Sequence, residues 1–214
     1  MKATPTIAVI GAGGHAKVVI ATLQAAGYGS ISVFDDDPGK WGAELLGFPV
    51  VGPVREVGER KLESGIVAIG SNSKRREMAS ALTLEWISVV HPSATVHPSV
   101  VIGVGAVVFA GAVIQPDTVV GEHAIINTGA TLDHDCQIGD FAHIAPRAAL
   151  CGGVEIGEGS LIGVGASAIP GVRVGAWATV GAGAAVVRDL SERTLAVGVP
   201  ARPLHEESKE GHDG

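Results

Sequence analysis

A six-residue period governs the second half of the chain and constrains its fold more than any other feature. Starting from Val96, every sixth residue up to Val186 is Val, Ile or Leu, with one exception, Ala168. The positions are Val96, Ile102, Val108, Ile114, Val120, Ile126, Leu132, Ile138, Ile144, Leu150, Ile156, Ile162, Ala168, Val174, Val180 and Val186. A period of six is typical of a parallel β-helix built from hexapeptides.

Small residues accompany the aliphatic ones and indicate how each coil turns. The residue four positions after an aliphatic one is mostly small, as at Ala106 and Ala124, and Gly often follows the aliphatic residue directly, as at Gly103. We expect three flat faces of one hexapeptide each, so that a coil has 18 residues and coils stack about 4.8 Å apart. The aliphatic side chains then point inward, where full burial of each is worth about 1.5 to 3 kcal/mol.

The first 90 residues follow a different pattern, in which apolar strands alternate with helices. The predicted strands are TIAVI, ISVF, GIVAIG and EWISVV, and the predicted helices are HAKVVIATLQAAG, which Gly27 closes, and SKRREMASALTL. Residues 38–60 indicate an irregular loop with a short strand at FPVVG. This alternation predicts a small Rossmann-like parallel sheet.

Three segments are therefore expected along the chain. An α/β domain occupies residues 1–90, a β-helix with a carboxyl-terminal cap occupies residues 91–205, and a polar, disordered tail occupies residues 206–214. Within the cap, Pro200 and Pro203 are expected to stop further strand pairing.

Charge and composition exclude several classes of partner. The formal charge is −7, and the longest basic run is Lys74 to Arg76, so neither nucleic acid nor an anionic membrane is an expected partner. No apolar run approaches the roughly 18 residues of a membrane-spanning helix, and the sequence does not open with the pattern of a secretory signal. We expect a cytoplasmic protein that binds small molecules or other proteins.

The turn GAGGHAK, residues 11–17, lies between a predicted strand and a predicted helix, where backbone N–H groups hold phosphate. Gly11, Gly13 and Ala16 fit the dinucleotide pattern G-x-G-x-x-G/A, and Asp35 follows at the end of the next strand. A dinucleotide oxidoreductase is the alternative, but the domain lacks a second mononucleotide-binding half. The glycines would also suit a tight turn with no ligand.

His134 stands between two carboxylates, Asp133 and Asp135, in the segment TLDHDCQIGD. An imidazole with a pKa near 6.5 suits a general base at neutral pH, and a neighbouring carboxylate orients the ring. Adjacent strand residues face opposite ways, so both groups line one site only if they lie at a corner. Gly152, 18 residues after His134, is expected one coil further, where its N–H would stabilise an oxyanion or where glycine merely relieves crowding.

A zinc site of the γ-carbonic anhydrase type is a second alternative for the histidines. His91, His97, His123, His134 and His143 contain no closely spaced pair resembling that site, so no metal is expected. Cys136 occupies a small corner position and is expected to be a buried free thiol, as is Cys151.

Both halves together resemble the hexapeptide, left-handed β-helix acetyltransferases, in the branch of sialic-acid O-acetyltransferases and nucleotide-amino-sugar N-acetyltransferases. The matching segments are IAVIGAGGHAK, AIGSN, NT-x8-HDC and VGVPAR. The resemblance implies a left-handed helix, a homotrimer, and acetyl-CoA as cosubstrate in the groove between neighbouring β-helices. It also implies cytoplasmic synthesis of an activated sugar for surface polysaccharide.

The same resemblance implies roles for individual residues. His134 and Asp135 match the catalytic pair, and His143, expected at a corner, matches a histidine near acetyl-CoA; Asn127 is a weaker positioning candidate. The nucleotide-sugar contacts would be Gly11, Gly13, Gly14, His15, Asp35, Asp36, Gly70, Ser71, Asn72 and Arg75. Acetyl-CoA would meet His143, Gly152 and backbone groups of Gly163, Val164, Gly181 and Ala182, with Arg188, Arg193 or Arg202 at its phosphates.

The expected function is acetyl-CoA-dependent N-acetylation of a UDP- or GDP-linked 4-amino-4,6-dideoxysugar. His134 would act as the base, and the amine would attack the thioester directly. The alternatives are O-acetylation of a sialic acid or another sugar, and a noncatalytic nucleotide-sugar-binding trimer. No motif identifies the nucleotide or the sugar.

Overall fold

A computed structural model describes residues 6–204. The polar tail predicted over residues 206–214 lies outside this range, as does His205. Within the described part of the chain, no helix combines the length and apolar character needed to cross a membrane.

The amino-terminal domain is a six-stranded sheet with helices packed against it. Its strands are β1 (Ile7–Ile10), β2 (Ile31–Phe34), β3 (Glu44–Leu45), β4 (Phe48–Gly52), β5 (Ser64–Val67) and β6 (Glu85–Trp86). Its helices are α1 (Gly14–Ala25), α2 (Glu56–Glu59) and α3 (Asn72–Ala81), with a 3₁₀ turn at Pro38–Lys40. The order is β3-β4-β2-β1-β5-β6, and only the β3–β4 pair is antiparallel. The Rossmann-like prediction is confirmed.

Besides the 3₁₀ turn, two short elements in this domain were not predicted. Residues 38–60 hold the expected strand at FPVVG but also the hairpin partner β3 and the helix α2. The end of α1 follows the prediction, since Gly27 adopts φ +92°, a left-handed conformation that favours glycine.

The carboxyl-terminal domain is a left-handed parallel β-helix with three faces. Face one holds β7 (Val89–Val90), β10 (Val107–Val108), β13 (Ile125–Ile126), β16 (His143–Ile144), β19 (Leu161–Ile162), β22 (Thr179–Val180), β24 (Leu195–Val197) and β25 (Arg202–Pro203). Face two holds β8 (Thr95–Val96), β11 (Val113–Ile114), β14 (Thr131–Leu132), β17 (Ala149–Leu150), β20 (Ser167–Ala168) and β23 (Ala185–Val186). Face three holds β9 (Val101–Ile102), β12 (Val119–Val120), β15 (Gln137–Ile138), β18 (Glu155–Ile156) and β21 (Arg173–Val174).

The register confirms the 18-residue coil. Leu132 pairs with Leu150, and Leu150 with Ala168, so each aliphatic residue lies on another of its kind. These side chains form one apolar core together with the small residues at the corners, such as Ala106 and Cys136. Burial therefore maintains the six-residue period along the helix.

The structure corrects the ends of the β-helix. EWISVV is two strands rather than one, because β6 extends the amino-terminal sheet whereas β7 pairs with β10. The β-helix thus begins at Val89, slightly before the predicted residue 91. Pro203 does not stop pairing; it lies in β25, which runs antiparallel to β24 at the edge of face one, where a missing N–H is tolerated.

Helix α1 packs on face one and joins the two domains. Val107, Phe109 and Ile125 of the β-helix share an apolar cluster with Val19 and other residues of α1. Face one is therefore covered by the chain itself.

Candidate active site

His134 and Asp135 lie at the corner that joins β14 of face two to β15 of face three. Nδ1 of His134 is 2.7 Å from Oδ2 of Asp135, and the two side chains are 61% and 64% exposed. This hydrogen bond raises the pKa of His134 above its usual value, and the charge of Asp133 adds to the increase. With Nδ1–H donating to Asp135, Nε2 is left to accept a proton.

The two carboxylates next to His134 have different roles in this corner. Oδ1 of Asp133 accepts the backbone N–H of His134 at 2.9 Å, so Asp133 caps the turn. Asp135 adopts φ 60°, a left-handed conformation that Asp tolerates better than most residues, and its carboxylate contacts the ring. The geometry therefore favours Asp135 as the group that orients His134.

Gly152 lies beside the ring of His134, one coil further along the helix. A Cβ atom at Gly152 would stand 2.5 Å from Cε1 and 2.6 Å from Nε2 of His134. The corners stack through the backbone, since the N–H of Gly153 donates to the carbonyl of His134 at 2.8 Å. The predicted neighbourhood is confirmed, and crowding by the ring is a sufficient reason for glycine here.

Replacing Gly152 with Ala should therefore displace the His134 ring without unfolding the coil. We expect kcat to fall about 10-fold or more, while the free energy of unfolding changes by less than about 1 kcal/mol because the exposed ring can rotate away. Cys151→Ala, at the adjacent exposed residue, is the matched control and should retain full activity. Normal kcat in Gly152→Ala would show that ring placement is not limiting.

A cavity of about 540 Å³ opens at the carboxyl ends of β1, β2 and β5. It brings together seven of the predicted nucleotide-sugar residues, namely Gly11, Gly13, Gly14, His15, Asp35, Asp36 and Gly70. Gly11 has φ +108°, and a Cβ there would meet Ile69 at 2.9 Å, so its role is the tight turn. Gly13 and Gly14 face open space at the start of α1, where a phosphate can approach the helix N-terminus.

Asp35 is the most strongly bonded acid in this cavity. Its carboxylate accepts the N–H of Ala12 at 2.7 Å and of Asp37 at 2.9 Å, and it contacts Nζ of Lys40 at 3.0 Å. Burial alone would raise the pKa of Asp35, but these donors outweigh burial and hold it below its usual value. Lys40 was missed from the sequence because no motif marks a lysine in an irregular loop.

Asp36 and Ser71 lie beside the cavity in positions that hold neighbouring loops and helices in place. Oδ1 of Asp36 accepts the N–H of Val54 at 2.9 Å, which ties the loop after β4 to the end of β2. Ser71 immediately precedes α3 and lines a second, smaller depression of about 290 Å³ together with His143, Trp177 and Thr179.

Arg75 requires a correction, because the structure does not offer it to a nucleotide. Its side chain is 1% exposed. The guanidinium donates to Ile69 and Gly70 in its own domain and to the carbonyls of His123 and Phe141 in the β-helix, at 2.7 to 3.3 Å. Burial lowers the pKa of Arg75 to about 10. Arg75 thus joins the two domains.

Asn72 supports the same junction. Its Oδ1 accepts from Arg75 at 2.9 Å, while its Nδ2 donates to the carbonyls of Gly159 and Ser160. Next to it, Arg76 pairs with Glu158 at 3.1 Å and lies over the ring of Trp177. One turn of α3 therefore anchors the amino-terminal domain, with its cavity, to the β-helix.

His15 and His143 meet at the interface between the domains. Their ring centroids are 6.2 Å apart, and His15 also packs edge-on against Phe109. His143 lies in β16 on face one, not at a corner as predicted, and its Nε2 is 2.9 Å from Nδ2 of Asn127. Burial lowers the pKa of both histidines to about 4, with Arg75 adding to the effect. Both rings are therefore neutral at pH 7.

His123, predicted only as a rejected metal ligand, proves to be part of the domain junction. It is 3% exposed, stacks on Phe141 with a centroid distance of 5.2 Å and lies edge-on to Trp86. Burial lowers its pKa to about 4, again assisted by Arg75. The 18-residue spacing from His123 to Phe141 was readable from the sequence, so coil arithmetic could have found this contact.

The buried histidines make stability depend on pH, and His123→Phe isolates one of them. Because the folded pKa near 4 is below the unfolded value of 6.5, the unfolded state binds more protons and stability falls as the pH drops from 6.5 toward 4. At pH 5 the loss of stability that comes from His123 is about 2 kcal/mol. Phe fits this backbone, since Phe141 adopts φ 56° one coil later. Urea denaturation at pH 7 and 5 should show a smaller loss in His123→Phe; an unchanged loss contradicts the assignment.

The four backbone positions expected to hold acetyl-CoA lie at the corner between face one and face two. Gly163 and Gly181 donate their N–H groups to Val180 and Ala196 and accept from Ala166 and Ala184, so neither offers a free backbone group. Val164 is 53% exposed. Backbone donors at this corner would therefore come from Val164 and Ala182 rather than from the glycines.

The two cysteines differ from one another. Cys136 is buried, as predicted, and burial raises its pKa, whereas Cys151 is exposed, which corrects the prediction. Among residues 6–204, no three His, Cys, Asp or Glu side chains lie close enough together to hold a metal ion.

The chain is similar to known proteins over both of its domains. Residues 6–82 match the family model described as the PglD N-terminal domain. PerB from Caulobacter crescentus, solved with CoA and GDP-perosamine, is 44% identical, with a TM-score of 0.90 over 95% of this chain and 99% of PerB. The acetyltransferase domain of PglB from Neisseria gonorrhoeae is 42% identical, with a TM-score of 0.88 over 94% of this chain and 100% of that domain.

A curated relative gives a shorter match. UDP-N-acetylbacillosamine N-acetyltransferase of Bacillus subtilis is 43% identical over 114 residues, which are 49% of this chain and 51% of that protein. The chain thus spans about half the length of this relative, whereas its match to PerB is nearly complete. From its two-domain fold, its His–Asp corner and this similarity, we conclude that the chain belongs to the hexapeptide, left-handed β-helix acetyltransferases, in the nucleotide-amino-sugar N-acetyltransferase branch.

Proposed function

We propose that the chain transfers the acetyl group of acetyl-CoA to the amine of a nucleotide-linked 4-amino-4,6-dideoxysugar. The observation that carries this proposal is the exposed His134 ring, bonded through Nδ1 to Asp135 at 2.7 Å. The amine nitrogen attacks the thioester carbonyl, the C–S bond breaks, and CoA leaves as a thiolate. Nε2 of His134 takes the amine proton and returns it to the sulfur.

Direct attack requires no covalent intermediate on the enzyme. The thiol of Cys136, close in sequence to His134, is buried and donates to the carbonyl of Cys151 at 3.3 Å. The reaction needs only a hydrogen-bond donor that polarises the thioester carbonyl. The N–H of Gly152, adjacent to the His134 ring, is our candidate donor to the oxyanion.

The acceptor is proposed from the cavity of the amino-terminal domain. Its open glycines at the start of α1 suit a diphosphate, and Asp35 suits ribose hydroxyl groups. PerB was solved with GDP-perosamine, and the Bacillus relative is named for a UDP-linked sugar. Both relatives support N-acetylation and leave the nucleobase open. The product would enter surface glycan synthesis in the cytoplasm.

We propose a homotrimer, because within one chain the proposed base and the residues beside the nucleotide-sugar cavity lie at opposite edges of face two. His134 lies at one edge of face two, whereas His15 and Asn127 lie toward the other edge, roughly 15–20 Å away at the rise of a six-residue face. The outward residues of face two are small and uncharged: Thr95, Val113, Thr131, Ala149, Ser167 and Ala185. Packing a neighbouring copy beside this face would bring His134 to the neighbour's cavity. Analytical ultracentrifugation should give three chains per particle; a monomer that retains activity contradicts this arrangement.

Product analysis tests the proposed reaction. The enzyme would be incubated with acetyl-CoA and a pool of UDP-, GDP- and CMP-linked sugars, each bearing either an amine or a hydroxyl group at the acceptor position. Mass spectrometry should find one acetylated amino sugar. Acetylation of a CMP-linked sialic acid instead would favour the O-acetyltransferase alternative, and nucleotide-sugar binding with no acetylated product would favour a noncatalytic binding protein.

A further inference from the structure

Helix α3 has two faces that contact different parts of the molecule. Arg75 and Arg76 reach the β-helix. Lys74, Glu77 and Met78 instead line the cavity at the carboxyl ends of β1, β2 and β5. Residues three and four apart share one side of a helix, so these three side chains form a single patch, the α3 patch. No sequence motif marked this patch as part of the nucleotide site.

The α3 patch lies on the side of the sheet opposite to α1. Val54, Ile69 and Met78 pack together in one apolar cluster of the sheet, whereas the residues of α1 pack in the other. A nucleotide with its diphosphate at the start of α1 and its ribose at Asp35 would therefore reach the α3 side with its base. The same three apolar residues line the cavity there and offer a surface to a planar ring.

Glu77 differs from the two other carboxylates that line this cavity. Asp35 is bonded to two backbone N–H groups and to Lys40, and Asp36 accepts a backbone N–H of the loop after β4. Within residues 6–204, the side chains of Glu77 and Lys74 form neither hydrogen bonds nor ion pairs, and both residues are exposed. A free acceptor and a free donor therefore lie side by side where the edge of a bound base would be.

This pair of groups distinguishes the nucleobases. A carboxylate only accepts hydrogen bonds, and an ammonium only donates them. Guanine carries the acceptor O6 next to two donors, N1–H and the N2 amine, so a carboxylate can take both donors while an ammonium meets O6. Uracil places its single donor, N3–H, between two carbonyl oxygens, and cytosine has two adjacent acceptors. A carboxylate would face the O2 oxygen of either pyrimidine with no proton between them, which lowers affinity.

We infer that Glu77 selects guanine, with Lys74 at O6 of the base, and that the acceptor sugar is therefore linked to GDP. This inference rests on the proposed function, which places the nucleotide in this cavity. Glu77 would contact the base and not the reacting amine. Its replacement should therefore raise KM for the acceptor and leave kcat at saturating acceptor nearly unchanged.

Calorimetric titration with GDP, UDP and inosine diphosphate tests this inference, since inosine diphosphate keeps N1–H and O6 but lacks the N2 amine. The unaltered protein should bind GDP at least about 10-fold more tightly than either of the others, the effect of one hydrogen bond to a charged group. Glu77→Gln should lose most of the preference for GDP over inosine diphosphate, because an amide presents one acceptor oxygen rather than two. Lys74→Met should weaken binding of GDP and inosine diphosphate equally and leave their ratio unchanged.

Glu63→Gln is the matched control, because Glu63 is an exposed carboxylate just before β5, at the opposite end of that strand from the cavity. This variant should bind all three nucleotides normally. Equal binding of GDP and inosine diphosphate by the unaltered protein, or an unchanged ratio in Glu77→Gln, overturns the inference. Acetylation of a UDP-linked but not a GDP-linked amino sugar would overturn it and leave the proposed function standing. A protein that binds none of the three nucleotides would contradict both.

Discussion

Replacing His134 with Ala is expected to lower kcat about 100- to 10,000-fold, the usual contribution of a general base. Binding of the nucleotide sugar should remain nearly normal, because the cavity at Gly13 and Asp35 lies in the other domain. Thiol release from acetyl-CoA, followed at saturating acceptor, measures the first quantity, and calorimetric titration with the nucleotide sugar measures the second. Full activity in His134→Ala would end the proposal that this ring is the base.

Neighbouring variants distinguish the base from its supports. Asp135→Asn removes the largest cause of the raised pKa of His134, so the acidic limb of the kcat–pH profile should move to lower pH. Asp133→Asn should move it less. His97→Ala is the matched control, since His97 is an exposed histidine on the same helix whose Nδ1 contacts Oγ of Ser99. An acidic limb that does not move in Asp135→Asn would contradict the orienting role.

Arg75→Met is expected to lower the free energy of unfolding by about 3 to 5 kcal/mol. The substitution keeps the apolar length of the side chain but leaves carbonyls of both domains without donors in a buried place. The measurement is urea denaturation followed by tryptophan fluorescence, because Trp86 and Trp177 lie in different domains. We also expect the two domains to unfold less cooperatively than they do in the unaltered protein.

The adjacent residue supplies the control for Arg75. Arg76→Met removes an exposed contact with Glu158 and a guanidinium over Trp177, which should cost about 1 kcal/mol or less. Arg75→Lys keeps the charge but has only three donors, so its free energy of unfolding should lie between those of Arg75→Met and Arg76→Met. Equal stability of Arg75→Met and Arg76→Met would show that the buried guanidinium is not what joins the domains.

The six-residue period predicted most of the β-helix because each strand repeats the same local rule. The inward position of Leu132 and the placing of Gly152 beside His134 follow from counting alone, and the structure confirms both. The condition that His134 and Asp135 share a corner was likewise derived from strand geometry. Such features depend on residues at fixed spacing, which a single sequence displays directly.

Contacts between the domains could not be predicted in this way. Arg75 was assigned to a nucleotide because the family resemblance implied it, yet its partners are carbonyls 48 and 66 residues away. His143 was placed at a corner, although it directly precedes the inward residue Ile144, and in the structure it lies in β16. The contact of Lys40 with Asp35 depends on the path of an irregular loop. The partners of Arg75 and Lys40 follow no local period.

The central claim is acetyl transfer from CoA to an amine on a nucleotide-linked sugar. The most direct measurement compares CoA thiol release with a nucleotide-linked amino sugar and with the same compound carrying a hydroxyl group in place of the amine. Our account predicts one thiol released for each amine acetylated and almost no release with the hydroxyl compound. Preferential acetylation of the hydroxyl compound, or tight binding of acetyl-CoA and the amino sugar without thiol release, would contradict it.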